Sequence, residues 1–338
     1  MRLRQDEQGR TPFDGKVTRQ GVLKDTAAAA LGVGLVSQEK EAVGIEARPF
    51  ELPQRVLGKT GEQVPILGLG TAPGGMGLRD EDAVALIHQA IDLGVTYLDT
   101  APGYRRAQVQ LGQVMAERRK EVFLVTKTGA EEGKKALEIL EQSLKDLRTD
   151  HVDLTFVHSL GGRDVDQVLA PDGSLAGLRE AQRRGWTRYV GFTAHHAPWK
   201  AAKMLREADV DVVMLAVNFA DQHTYNFEEV VLPEARERRV GVAAMKVYGG
   251  APGMKYDRPI HSALRAHGAH DHKAALRYAL GLPGVTTAVV GMYSEAELVQ
   301  NIQWATDYSA LSEEEETRLK ELGKAIASEW GEHFGPTR

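Results

Sequence analysis

Eight apolar segments of strand length recur between Ile66 and Val290, each followed by a helical or loop stretch. That alternation constrains the fold more than any other feature of the chain. The segments are Ile66–Gly70, Val95–Asp99, Val122–Thr126, Val152–Val157, Tyr189–Phe192, Val212–Leu215, Val240–Met245 and Val285–Val290. Amphipathic helical patterns lie between them at Asp80–Leu93, Glu131–Leu147, Leu175–Arg184, Pro198–Glu207, Phe227–Arg238 and Asp271–Leu280. Strands apolar enough to be buried on both faces, and separated by helices, pair in parallel. Eight such units predict an α/β fold closed as a (β/α)8 TIM barrel, not an open sheet. RVLGKTGEQV, from Arg55 to Val64, predicts an N-terminal hairpin closed by Gly58 and Gly61. Ser312 and Glu315 form the capping-box pattern that opens an extra C-terminal helix after the eighth unit. The barrel is thereby expected over residues 51–338.

Residues 1–50 have a different character. Arg2, Arg4, Arg10, Lys16, Arg19 and Lys24 outnumber Asp6, Glu7 and Asp14, and the uncharged stretch TAAAALGVGLV, Thr26 to Val36, follows at once. A basic segment ahead of an apolar one is the pattern of an export leader. TRQGVLK, Thr18 to Lys24, resembles the twin-arginine signal, with Gln20 where the second arginine belongs. Two expectations stand: a degenerate twin-arginine-like leader that exports a bacterial-type protein to the periplasm, or a flexible extension on a cytoplasmic one.

Several chemistries are disfavoured by what the chain lacks. It has no cysteine in 338 residues, which excludes disulfides, thiolate nucleophiles and cysteine-ligated metal or iron–sulfur sites. Forty-two Lys and Arg against 47 Asp and Glu, with no basic stripe, give a nucleic-acid partner no electrostatic support. No apolar run reaches the ~18–20 residues of a membrane span. No G-x-G-x-x-G occurs, so a Rossmann site is not expected. Gly58-Lys59-Thr60 copies the end of a Walker A loop, but Pro53 stands where its first glycine belongs, and the triplet reads as a turn. His261, His267, His270 and His272 crowd one loop without a helix-face pair or an accompanying carboxylate pattern, so no metal site is expected there.

Barrel active sites form where the strands end at the C-terminal face. Three successive ends stand out: YLDTAPGY delivers Asp99 with Tyr104 in the following loop, FLVTKTG delivers Lys127, and LTFVHS delivers His158. Four ionisable groups converging from consecutive strands are more than scattered core residues. LGLGT at Leu67–Thr71, MKVYGG at Met245–Gly250 and GMYSEAELVQNI at Gly291–Ile302 accompany them.

As a set, these stretches make Arg55 to about Ile326 resemble the aldo-keto reductases, a barrel family that uses nicotinamide cofactors without a Rossmann fold. The resemblance implies a catalytic tetrad of Asp99, Tyr104, Lys127 and His158. It implies NADP(H) or NAD(H) as cofactor, held by Gly70, Thr71, Asp99, Thr193, Met214, Met245, Lys246, Gly291, Met292, Ser294, Glu297, Gln300 and Asn301. The implied partner is a small carbonyl substrate: an aldehyde, a ketone or a sugar-like compound. Carbonyl reduction needs a proton for the developing alkoxide as well as a hydride for the carbon. A phenol, with a reference pKa near ~10, is a poor donor unaided. A lysine ammonium ~4 Å away contributes about 4 kcal/mol at an effective dielectric of ~20, which favours the tyrosinate.

This sequence departs from the family pattern at the cofactor. Thr193 and Ala194 stand where the family often has Ser-Asn, and Met214 and Met245 replace a glutamine and a stacking aromatic. The Lys and Arg that grasp a 2′-phosphate align with Gly291 and Glu297, which predicts weak discrimination between NADPH and NADH. Two alternatives therefore accompany the reductase: a catalytically weak cofactor-binding barrel with a regulatory role, and a barrel lyase or isomerase that uses Lys127 as a Schiff-base amine.

Overall fold

The computed structural model of the protein describes residues 51–259 and 261–338. The leader-like segment, residues 1–50, lies outside the described residues. Ten strands form among them: a two-stranded antiparallel sheet and a closed parallel barrel.

The antiparallel pair is β1 (Gln54–Val56) and β2 (Gln63–Pro65), joined through a 3-10 turn at Gly58–Thr60. The Walker-like triplet is thus a turn, as its context predicts. Leu57 and Val64 are wholly buried and plug the bottom of the barrel against Tyr97, Phe123, Phe156 and Met214. Polar contacts hold this plug in place. Arg55 donates to the carbonyls of Leu280 and Val285, both at 2.8 Å, and Glu62 accepts from the Tyr189 hydroxyl at 2.8 Å while pairing with Arg188.

The barrel strands are β3 (Leu67–Gly70), β4 (Tyr97–Asp99), β5 (Phe123–Thr128), β6 (Val152–Val157), β7 (Thr187–Ala194), β8 (Val212–Ala216), β9 (Gly241–Met245) and β10 (Val285–Gly291). Each falls on one of the eight apolar segments. β10 closes the ring on β3, with Ala288 opposite Leu67 and Gly291 opposite Gly70. Strands such as β8 and β9 are buried at every residue, because the interior covers one face and helices the other.

The helical patterns named from the sequence are found with one correction, and a further helix, Ala107–Arg118, was not among them. Phe227–Arg238, expected as one helix, is two: Phe227–Val230 and Leu232–Glu237. Pro233 lacks the amide a continuous helix needs and crowds the preceding turn. The capping box is present, with Ser312 Oγ accepting the Glu315 amide at 3.2 Å and the Glu315 carboxylate accepting the Ser312 amide at 2.8 Å. It opens the helix Glu313–Trp330. Beyond that helix the chain turns back over the C-terminal face. There the Phe334 amide donates to the Tyr225 hydroxyl at 2.7 Å, and the Phe334 ring lies 5.7 Å from that of His195.

No described helix is long and apolar enough to cross a membrane. Among the described residues no group of three or more His, Cys, Asp or Glu stands in a metal-ligating arrangement.

Candidate active site

Strand register and the turns just beyond it place the four candidate residues. Asp99 is the last residue of β4 and lies opposite Gly70 of β3 and Val125 of β5. Lys127, two residues beyond Val125, therefore reaches across to it. Its Nζ donates to Asp99 Oδ1 and Oδ2 at 2.6 and 2.7 Å and to the Thr100 carbonyl at 2.9 Å. Both side chains are buried. Burial pushes the Asp99 carboxyl up and the Lys127 ammonium down, and each charge offsets that cost for its partner. The three oxygen contacts of Lys127 Nζ match the three protons of an ammonium.

Tyr104 sits in the turn after β4, where its amide donates to the Ala101 carbonyl at 3.0 Å. Gly75 makes room for this turn, since a Cβ there would come within 2.2 Å of the Tyr104 carbonyl. Lys127 Nζ lies 5.0 Å from the Tyr104 ring centre, and the His158 ring meets Tyr104 edge-on at 6.1 Å. The phenol is not shifted toward the tyrosinate, the direction the lysine charge alone would predict. Burial, with the charge of Asp99 and then Tyr256 added, drives Tyr104 well above its usual value. Asp99 faces Lys127 at contact distance and offsets part of the cation's pull on the phenol.

His158 follows β6, and the next residue, Ser159, takes a left-handed φ of 56°. The Ser159 amide donates to Thr193 Oγ1 at 2.8 Å, which ties the ends of β6 and β7 together. Burial, then the cations of Lys127, Arg163 and Lys246, lowers His158 to about 3. At neutral pH it is an uncharged imidazole.

A cavity of about 420 Å³ opens beside this cluster. Gly70, Asp99, Tyr104, Met214, Met245 and Lys246 line its inner end, and Gly291, Glu297, Gln300 and Asn301 its outer end. Thr71, Thr193, Met292 and Ser294 lie off its wall. Thr71 Oγ1 donates to the Asp99 carbonyl at 2.9 Å, Met292 is packed in the hydrophobic core, and Ser294 caps the helix Glu295–Thr306. The Glu297 carboxylate accepts the Tyr293 amide at 2.7 Å, at the start of its own helix.

Three neighbours were not singled out in the sequence. His195 is half-buried 6.5 Å from the His158 ring, with Nδ1 3.3 Å from Ser159 Oγ. Burial, then the Lys246 charge, pushes it well below the usual imidazole value. Its one signal is its place in GFTAHH at the end of β7. Tyr256 accepts from Lys246 Nζ at 2.7 Å. Arg265, in the excursion after β9, also lines the cavity.

Comparison with known proteins bears on the family. The pattern of the Aldo/keto reductase family matches residues 66–324. L-galactose dehydrogenase of Arabidopsis thaliana is 26% identical over 294 residues, covering 78% of this chain and 91% of that protein. Methylglyoxal reductase DkgB of Salmonella typhimurium is 28% identical over 223 residues, covering 64% and 79%. Among solved structures, an aldo-keto reductase from Bacillus halodurans in its holo form superposes with a TM-score of 0.68 at 23% identity, over 81% of this chain and 97% of that one. Another from Klebsiella pneumoniae, in complex with NADPH, gives 0.64 at 24% identity, over 80% and 94%. With the family pattern matched over most of its length, the chain belongs to the aldo/keto reductase family and is an NAD(P)-dependent oxidoreductase.

Proposed function

We propose that the protein reduces the carbonyl of a small aldehyde, ketone or sugar-like compound, with Tyr104 as the proton donor. The observation that carries this is the buried Lys127–Asp99 pair set against the Tyr104 ring at the C-terminal face of the barrel. The cavity suits a nicotinamide dinucleotide. Met214 and Met245 offer a soft apolar surface to a planar ring, Gly250 and Gly291 expose backbone, and Gln300 and Asn301 are polar at the far end. A bound nicotinamide supplies hydride to the carbonyl carbon.

The chain's own residues do the rest. Tyr104, raised by burial, carries its proton throughout the physiological range and gives it to the oxygen as negative charge develops there. Lys127, kept cationic by Asp99, stabilises the phenolate that remains. Neutral His158 retains a ring N–H that can donate to the same oxygen and stabilise it in the transition state. The tightly packed turn around Gly75 fixes the phenol, so little reorganisation is needed.

Tyr104→Phe tests the assignment. It is expected to lower kcat by about 10²–10⁴-fold while cofactor affinity, read by nicotinamide fluorescence, stays within twofold. A variant that keeps near-normal kcat removes Tyr104 from the role. The absence of amide ligands at Ala194 and Met214 favours a second function, a weakly catalytic cofactor-binding barrel with a regulatory partner. Tight cofactor binding without turnover on any of a panel of carbonyls would favour it.

A further inference from the structure

The outer end of the cavity has two walls. One is the helix Glu295–Thr306, with Glu297, Gln300, Asn301 and Trp304. On this wall the positions where the family pattern places phosphate-binding cations are Gly291, which has no side chain, and Glu297, whose carboxylate is turned to the Tyr293 amide. Neither supplies a cation.

The facing wall comes from the excursion after β9 and supplies Tyr248, Ser262, Arg265 and His272. These residues are fixed to one another and to the helix. Ser262 Oγ accepts the Arg265 amide at 3.2 Å and lies 2.7 Å from His272 Nε2. The His272 ring stands edge-on to Tyr248 at 4.8 Å, and the Tyr248 hydroxyl donates to Asn301 Oδ1 at 2.5 Å. Arg265 is thereby carried on a braced segment beside the polar residues Gln300 and Asn301. It is the one arginine among the lining residues, and its guanidinium has no hydrogen bond or ion pair among the described residues. Other arginines of the barrel are occupied: Arg106 by Asp80, Arg118 by Glu121 and Arg277 by Glu315.

We infer that Arg265 is the group by which this chain recognises the 2′-phosphate of NADP(H), from the wall opposite the one where the family pattern would place it. The inference rests on the cofactor-dependent activity proposed above. A phosphate monoester presents several oxygens to a planar guanidinium, the geometry in which arginine binds most strongly and most selectively. It follows that NADPH is preferred, although Gly291 and Glu297 alone predict little discrimination.

The test is a fluorescence titration of the full chain with NADPH and with NADH, and competition by 2′,5′-ADP against 5′-ADP, for wild type, Arg265→Gln and Arg265→Lys. Among the described residues the Arg265 guanidinium makes no hydrogen bond or ion pair, so neither substitution breaks one there. Wild type is expected to bind NADPH about tenfold or more tighter than NADH. Arg265→Gln should weaken NADPH and 2′,5′-ADP by about tenfold or more and leave NADH within twofold, with Arg265→Lys between the two. Equal losses for NADPH and NADH would assign Arg265 to the shared diphosphate and overturn the inference, as would an unchanged ratio. If wild type binds neither dinucleotide, the cofactor-dependent activity fails, and this inference with it.

Discussion

Lys127 and Asp99 are two charges removed from water and left to each other. Breaking a buried pair by removing one member strands the other charge and costs about 3–5 kcal/mol, whereas replacing both by apolar groups is often neutral. Lys127→Met is therefore expected to destabilise the protein by about 3–5 kcal/mol in urea denaturation and to abolish turnover. The double variant Asp99→Leu with Lys127→Met should recover most of that stability and none of the activity. A single variant within ~1 kcal/mol of wild type would show that Asp99 finds another partner or takes up a proton at little cost. The four residues of this cluster are legible in the sequence because each stands at or just past a strand end in a distinctive local string. The state of the Tyr104 phenol is not legible. It depends on burial and on how far the Asp99 carboxylate offsets the lysine charge, and neither can be weighed from the sequence. His195 was passed over because a second imidazole in GFTAHH acquires meaning only when β6 and β7 lie side by side. Arg265 was passed over because it belongs to an excursion without periodicity.

Among the elements, helix contacts around the barrel depend on small residues at the crossings. The helices Gly133–Asp146 and Ser174–Arg183 approach so closely that a Cβ on Gly177 would lie 2.4 Å from the Gly133 carbonyl oxygen. Gly177→Ala must push the two helices apart, and overpacking of this kind costs about 1–3 kcal/mol. The expected result is a lowered thermal midpoint with the barrel otherwise intact by circular dichroism. An unchanged midpoint would mean that the pair slides apart freely. Strands were legible as elements because burial on both faces keeps them predominantly apolar, with few polar residues to blur them. The helix Ala107–Arg118 was not, because its inward face carries glutamines: Gln108 donates to Thr126 Oγ1 at 2.9 Å and Gln110 to Asp80 Oδ1 at 3.0 Å. Buried amides with good partners are invisible to a search for apolar stripes.

For the molecule as a whole, the segment after the last helix ties the far side of the barrel face together. His333 Nε2 lies 3.4 Å from Asp221 Oδ1, and the His196 ring contacts the Pro336 carbonyl at 3.0 Å. Burial raises the Asp221 carboxyl to about 7, above its unfolded value near ~3.9. Its contribution to stability is then full below about pH 4 and is lost as pH rises through about 7. Glu228, also raised to about 7 by burial, acts in the same direction. Comparing wild type with Asp221→Asn isolates the first group: wild type's stability relative to the variant should fall by about 2–3 kcal/mol between pH 5 and pH 8. A difference independent of pH would place the Asp221 titration outside that window. The closure of β10 on β3 has a consequence for synthesis. β3 ends at Gly70 and its second neighbour ends at Gly291, so an edge of the nascent sheet stays unpaired while about 220 further residues are made. At roughly 5–20 residues per second that interval is on the order of 10–45 s, long enough for a trigger-type chaperone or a neighbouring nascent chain to reach the open edge first.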